Sequence, residues 1–251
     1  VSFAALVLAG TRPGGDPLAE AEGVAAKALV TVDGEAMLSR VIGAVRGAGA
    51  GRIVVACDEG PVAELARAQD CEVVQPARGP AGSVQRGLDV TGAPLLVTTA
   101  DHALLQPGWV RAAIEGTPDD ADVGVMLARR EAIKAELPGS RRTYLRFADG
   151  HWSGCNLFFL RTPDAAKAIA AWQGIEADRK RPWRIVAKLG LGTLLDYALG
   201  RLTLAEGIAR LGKRIGVRAA LVEAPSGLAA VDADKPSDLA DIRAILARQQ
   251  G

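Results

Sequence analysis

The stretch Leu95-Leu96-Val97-Thr98-Thr99-Ala100-Asp101-His102-Ala103-Leu104-Leu105 decides how this chain is read. Five residues suited to a buried strand run into a carboxylate, and a turn follows. Asp101 is therefore expected at the carboxyl end of a strand. In open α/β sheets ligands bind beyond those carboxyl ends, where an acid is well sited to hold a metal ion against substrate phosphates. Taken alone, Asp101 is more readily explained as a cap for the helix that begins near Pro107, and the rest of the chain shifts that balance.

Outward from this stretch, apolar runs alternate with helix-period segments, as in βαβ units around a mostly parallel sheet. Strands are expected at Phe3 to Leu8, Arg52 to Ala56, Glu72 to Val74 and Leu95 to Thr99. Between them, Asp33-Gly34 reads as a turn into a helix from Glu35 to Ala48. A second helix spans Pro61 to Gln69, and a third follows the turn Pro76-Ala77-Arg78-Gly79-Pro80. The second half is less regular. Strands are expected at Asp122 to Leu127, Arg142 to Phe147 and Cys155 to Leu160, with Asp149-Gly150 as a hairpin-like turn that suggests antiparallel pairing. Helical pattern covers Arg181 to Leu211, strand returns at Gly216 to Ala224, and a final helix runs Ser237 to Arg248 with Ser237 as its N-cap. With no internal repeat or linker, the expectation is a single three-layer α/β/α domain over 1–251. Its sheet is mixed but mostly parallel, and a helical subregion at about 164–214 lies on the acceptor side.

Composition narrows the function. Of 251 residues 49% are hydrophobic, enough for a sizeable core, and 30 basic against 29 acidic residues leave a net charge of +1. No basic run interleaves with aromatics, which argues against nucleic acid as a partner. The three cysteines, Cys57, Cys71 and Cys155, lack metal-ligand spacing and suit a reducing cytoplasm. The N-terminal apolar stretch has no basic region before it and reads as a strand. No stretch approaches the roughly 18 apolar residues needed to span a bilayer.

The first loop, Leu8-Ala9-Gly10-Thr11-Arg12-Pro13-Gly14-Gly15, follows a strand with glycines that let backbone N–H groups approach an anion, and Arg12 adds a guanidinium fork. It matches neither the dinucleotide nor the P-loop fingerprint. Lys27, placed just beyond, is either a surface lysine or an ammonium delivered to phosphates when the loop closes. Here the residues reach a family. Leu8-Ala9-Gly10 with Arg12, then Lys27-Ala28-Leu29, resembles the signature loop of MobA-like nucleotidyltransferases, whose fold is that of the nucleotide-diphospho-sugar transferases. The loop departs from the usual pattern in lacking a second glycine before the arginine and in carrying Asp16, Glu20 and Glu22.

The resemblance implies triphosphate contacts for Leu8, Ala9, Gly10, Thr11, Arg12 and Lys27, with Arg12, Lys27 and Asp101 as the catalytic set. It continues at Gly79-Pro80-Ala81-Gly82-Ser83, which places Gly79, Gly82 and Ser83 beneath the base, although Ser83 serves equally as an ordinary N-cap. Ala100-Asp101-His102-Ala103-Leu104-Leu105 is similar to the family's D-x-P-L-L segment, with Ala103 in place of proline. Val231-Asp232-Ala233-Asp234-Lys235-Pro236 resembles the family's second acidic motif, which implies Mg²⁺ held by Asp101 with Asp234, or with Asp232 as the alternate. His102 is expected to be a structural neighbour rather than a base. Ser153-Gly154-Cys155-Asn156 resembles the strand beside the acceptor, implying acceptor contact by Asn156. The basic cluster Arg179-Lys180-Arg181 is either an acceptor-phosphate site through Arg179 and Lys180 or a solvated charge run. The segment from Trp183 to Leu202 reads as a helical cover for the acceptor, with contact to a membrane surface as the bolder alternative.

The function expected is Mg²⁺-dependent transfer of an NMP unit from an NTP to a phosphorylated small molecule, with release of pyrophosphate. Two alternatives stand beside it. One is a glycosyltransferase using a nucleotide sugar, and the other is a non-catalytic nucleotide sensor or scaffold.

Overall fold

Strand β1 (Ala4–Leu8) lies at the centre of a large mixed sheet because three of its residues, Ala5, Leu6 and Val7, are wholly buried, leaving neither face for water. Such strands read as unbroken apolar runs and need cover on both sides. The computed structural model describes residues 1–11, 14–178 and 190–250. In chain order its strands are β1, β2 (Thr31–Val32), β3 (Glu35–Ala36), β4 (Arg52–Ala56), β5 (Glu72–Val74), β6 (Leu95–Thr99), β7 (Val123–Arg129), β8 (Leu145–Phe147), β9 (Gly150–Leu160) and β10 (Ala219–Glu223). The large sheet has the order β10-β7-β9-β6-β1-β4-β5, with β8 paired to β9. β1 is parallel to both β4 and β6, β4 to β5, and β7 to β10. β9 runs antiparallel to β6, β7 and β8. Every other described strand of this sheet therefore points the same way, and their carboxyl ends share one edge.

Helices cover both faces. On one, α2 (Met37–Gly47), α5 (Pro107–Glu115) and the last helix, Pro236–Gln250, pack Val41, Val110 and Ile242 with Val7, Val55 and Leu96 of the sheet. On the other, α4 (Gly79–Thr91) and α7 (Ala165–Asp178) bring Val84 and Ile169 against Leu6, Val54 and Val97. The sequence of apolar and polar positions thus yields three layers, α/β/α, as expected. α4 approaches β1 closely because residue 87 is glycine: a Cβ there would land on the Leu6 side chain.

Several boundaries differ from those expected. Asp33 and Gly34 both have positive φ, 55° and 77°, and close a two-residue hairpin between β2 and β3. Glu35 and Ala36 therefore belong to a strand, and the helix begins at Met37. α4 starts at Gly79, so Ser83 lies inside the helix rather than at its cap. The strand expected from Arg142 starts at Leu145, and β9 reaches back to Gly150. Of the helical stretch expected from Arg181 to Leu211, residues 181–189 lie outside the described residues, and the rest holds two helices, Leu191–Ala198 and Leu204–Ile215, the second opened by a capping box of Thr203 and Glu206. The last helix begins at Pro236, a residue whose fixed φ and missing N–H suit a first helical position. Lys235, not Ser237, precedes it, and its N–H is capped by Asp238 Oδ2 at 3.0 Å.

Candidate active site

Four segments meet at the shared carboxyl edge. The loop after β1 is held at its root, where Ala9 N–H donates to Ala56 O at 2.9 Å and Ala100 N–H donates to Leu8 O at 2.9 Å. Gly10 lies against the loop after β5, where an added Cβ would be 3.4 Å from Pro76, and Thr11 Oγ1 donates to Asp58 Oδ2 at 3.0 Å. Further along, Asp16 caps the short helix α1 (Pro17–Ala21), and Glu22 pairs with Arg243 of the last helix at 2.6 Å. That contact ties the far side of the first loop to the end of the chain. A single 3-10 turn over Lys27–Leu29 then delivers Lys27.

Lys27 Nζ stands between two carboxylates, donating to Asp101 Oδ2 at 2.5 Å and to Asp234 Oδ1 at 3.1 Å. Asp101 comes directly off the end of β6, as its sequence position implied. Its backbone carbonyl accepts from Ala233 N–H at 3.1 Å, which brings the 231–235 segment alongside. Burial pushes the Asp101 carboxyl upward, but the Lys27 ammonium outweighs it and holds Asp101 below the usual carboxylate range. Lys27 shows the mirror image: burial opposes its charge, yet the two carboxylates raise it above the ordinary lysine value. Lys27 and Asp101 thus form an ionised pair.

Asp232 stands in a different environment. Arg142 Nη1 donates to its Oδ1 at 2.6 Å and Asn156 Nδ2 to its Oδ2 at 2.8 Å. Burial raises its pKa against the opposing pull of Arg142. Asn156 reaches it because β9 is irregular there. The pairing with β7 shifts between Val125 and Leu127, and Asn156 adopts a left-handed φ of 50°, a conformation asparagine tolerates better than most residues. Asn156, expected beside the acceptor, thus has its amide nitrogen directed at Asp232. Arg142 was missed by sequence reasoning. Its only signal was a charge in the run Arg141-Arg142, and its partner lies 90 residues away.

His102 is 1% exposed and its ring lies 6.1 Å from that of Trp109. Burial pushes its pKa down to about 4, so it is neutral at pH 7, in keeping with a structural neighbour. Ser83 is also buried. Its hydroxyl accepts from Ala77 N–H at 3.0 Å and so braces the loop ahead of α4. Gly79 and Gly82 lie at the start of that helix, and Gly79 has a φ of 79°. Arg12, Arg179, Lys180, Arg181 and Trp183 lie outside the described residues.

Among the described residues, no group of three or more His, Cys, Asp or Glu side chains is arranged to hold a metal. Two carboxylates do face one point, however, and Asp101 Oδ1 is buried without a hydrogen-bond partner. Such all-oxygen donors fit Mg²⁺, which takes one or two carboxylates and completes its shell with water and substrate phosphate.

The sequence matches the MobA-like NTP transferase domain over residues 5–193. The chain belongs to the MobA-like NTP transferase family. This MobA-like protein is a nucleotidyltransferase, and solved structures agree on its fold. A hypothetical transferase from Thermus thermophilus shares 32% identity with a TM-score of 0.81, over 95% of this chain and 100% of that one. A nucleotidyl transferase from Methanothermobacter thermautotrophicus shares 21% identity with a TM-score of 0.61, over 99% of each chain. A 2-C-methyl-D-erythritol 4-phosphate cytidylyltransferase, also from Thermus thermophilus, shares 18% identity with a TM-score of 0.57, over 99% of this MobA-like chain and 100% of its own. No curated protein matches it by sequence.

Proposed function

We propose that the protein is a Mg²⁺-dependent nucleotidyltransferase that moves an NMP unit from an NTP onto a phosphorylated small molecule and releases pyrophosphate. The observation that carries this reading is the meeting of Lys27, Asp101 and Asp234 at the carboxyl edge of the sheet. Asp101 and Asp234 hold the ion. When bound, Mg²⁺ neutralises triphosphate charge and so favours departure of pyrophosphate. Lys27 serves the phosphates as a point charge on a flexible stem, the Gly10 loop supplies backbone donors, and Arg12 is assigned to the same phosphates. An oxygen of the acceptor phosphate forms the new bond to the α-phosphorus. The bond to the β-phosphate oxygen breaks, and its electron pair leaves with pyrophosphate. An ionised phosphate carries no proton on the attacking oxygen, so no general base is needed, and catalysis is positioning with charge stabilisation. Arg179 and Lys180 are assigned to the acceptor phosphate, and the helices within 164–214 to the acceptor side of one catalytic domain.

Among the described residues no helix is long and apolar enough to cross a membrane. We assign the enzyme to the cytoplasm, where its NTP substrate is made. The test is calorimetric binding of CTP, GTP, UTP and ATP with and without Mg²⁺, followed by pyrophosphate release across a panel of phosphorylated acceptors. CTP is the first choice, because the fold neighbours include a synthetase solved with CTP. One NTP that binds and yields pyrophosphate with Mg²⁺ and an acceptor is the expected result, and the absence of binding to all four overturns the reading.

A further inference from the structure

The 231–235 segment is held at three successive residues. The Asp232 side chain bonds to Arg142 and Asn156, Ala233 N–H donates to Asp101 O, and Asp234 N–H donates to Asp238 Oδ2 at 3.1 Å. The two acids of this segment differ sharply in setting. Asp232 is 8% exposed and both its oxygens already accept charged or amide donors. The Asp234 side chain is 48% exposed, and its carboxylate meets the flexible end of Lys27. Pulling Asp232 onto an ion would strand the part-buried guanidinium of Arg142, and an unpaired buried charge is strongly unfavourable. Asp234 can turn to an ion at the cost of one lysine contact.

We infer that Arg142, Asp232 and Asn156 form a clamp that positions Asp234, and that Asp232 is a positioning residue and not a metal ligand. The clamp has a rigid base. Asn156 is presented by the left-handed bulge of β9, and Arg142 Nε leans on Ser153 Oγ of the same strand at 3.4 Å. β9 pairs with β6 and β7, so the clamp references Asp234 to the strand that carries Asp101. It also divides the charge. Lys27 pairs with Asp101 and Asp234, while Arg142 pairs with Asp232.

The metal half of this inference rests on the proposed function, and the clamp half does not. The experiment therefore has two readouts, Mn²⁺ binding by calorimetry and amide hydrogen exchange of residues 231–235 in metal-free protein. Asp234→Asn should weaken Mn²⁺ on the order of 100-fold, and Asp232→Ala or Asn156→Ala about tenfold. Asp232→Asn keeps the shape, and once the Asn156 amide turns over it keeps both hydrogen bonds, so it should stay within about threefold of wild type. The alanine variants should speed exchange across 231–235 by at least about tenfold, with Asp232→Asn close to wild type. In turnover, Asn156→Ala should raise the KM for Mg²⁺ more than it lowers kcat. Asp232→Asn losing as much Mn²⁺ affinity as Asp234→Asn makes Asp232 a ligand and overturns the assignment. Unchanged exchange in both alanine variants overturns the clamp. If wild type binds no Mn²⁺, the metal reading falls while exchange still decides the clamp. Should Asp232→Ala fail to fold, Asn156→Ala carries the same test.

Discussion

Lys27 is the residue on which the site balances. Removing its ammonium leaves Asp101 and Asp234 facing each other with no counter-charge between them. On the proposed function, Lys27→Ala is expected to weaken NTP binding by about tenfold or more, read by calorimetry, because a charge proposed to face the phosphates is lost from a partly desolvated site. Asp101→Asn should keep the fold, since the new amide fills the same space at the end of β6. It should cut pyrophosphate release by at least about 100-fold. Full turnover in either variant would sink the assignment. Asp101 was legible in the sequence because its evidence is local: an apolar run, a carboxylate, a turn. Arg142 was not, because its role exists only across the fold, where a charge at 142 meets a charge at 232. The bond from Asn156 to Asp232 was not legible either, since the bulge that turns Asn156 toward Asp232 leaves no mark on alternation.

At the scale of elements, the parallel strands announced themselves and the short or irregular ones did not. β1, β4 and β6 are buried on both faces, so their apolar runs are unbroken and their ends sharp. β2 and β3 have two residues each, too few for a period of two to show, and Asp33-Gly34 reads as a helix entry although that dipeptide also suits a tight hairpin. The last helix shows the same limit. Ser237 has the chemistry of a cap, but Pro236 fits the first helical position and Asp238 reaches back to cap it. Packing between elements yields a prediction of its own. Gly87→Ala would drive a methyl group from α4 into Leu6 of β1, and overpacking of this kind costs about 1–3 kcal/mol. Urea denaturation should show a lowered midpoint with an unchanged slope, and an unshifted midpoint would mean that α4 stands off the sheet.

For the whole molecule, the alternation of strand and helix was enough to foresee three layers around a mostly parallel sheet. The reversed strand, β9, follows from the Asp149-Gly150 turn, and it carries the sheet across to β7 and β10. That far half is fastened by Asp122. Its carboxylate accepts from Thr162 Oγ1 and from Arg218 N–H, both at 2.8 Å, joining the chain before β7, after β9 and before β10. The backbone N–H of Arg218 is the main cause holding Asp122 below the usual carboxylate range. A carboxyl depressed in the folded state stabilises it above the unfolded pKa, and that contribution is lost as pH falls through the folded value. Asp122→Asn should therefore lower the urea midpoint at pH 7 by an amount corresponding to about 1–3 kcal/mol, with the gap closing below about pH 4. A gap that persists in acid would show that the charge is not what matters.

Lys27 and Asp234 touch although 207 residues separate them. During synthesis the first βαβ units can gather as they leave the ribosome, yet this ion pair closes only after the stretch beyond Val231 has emerged. On the proposed function, turnover by a growing chain waits until translation has passed Asp234, and activity then reports whether the helix Pro236–Gln250 has docked.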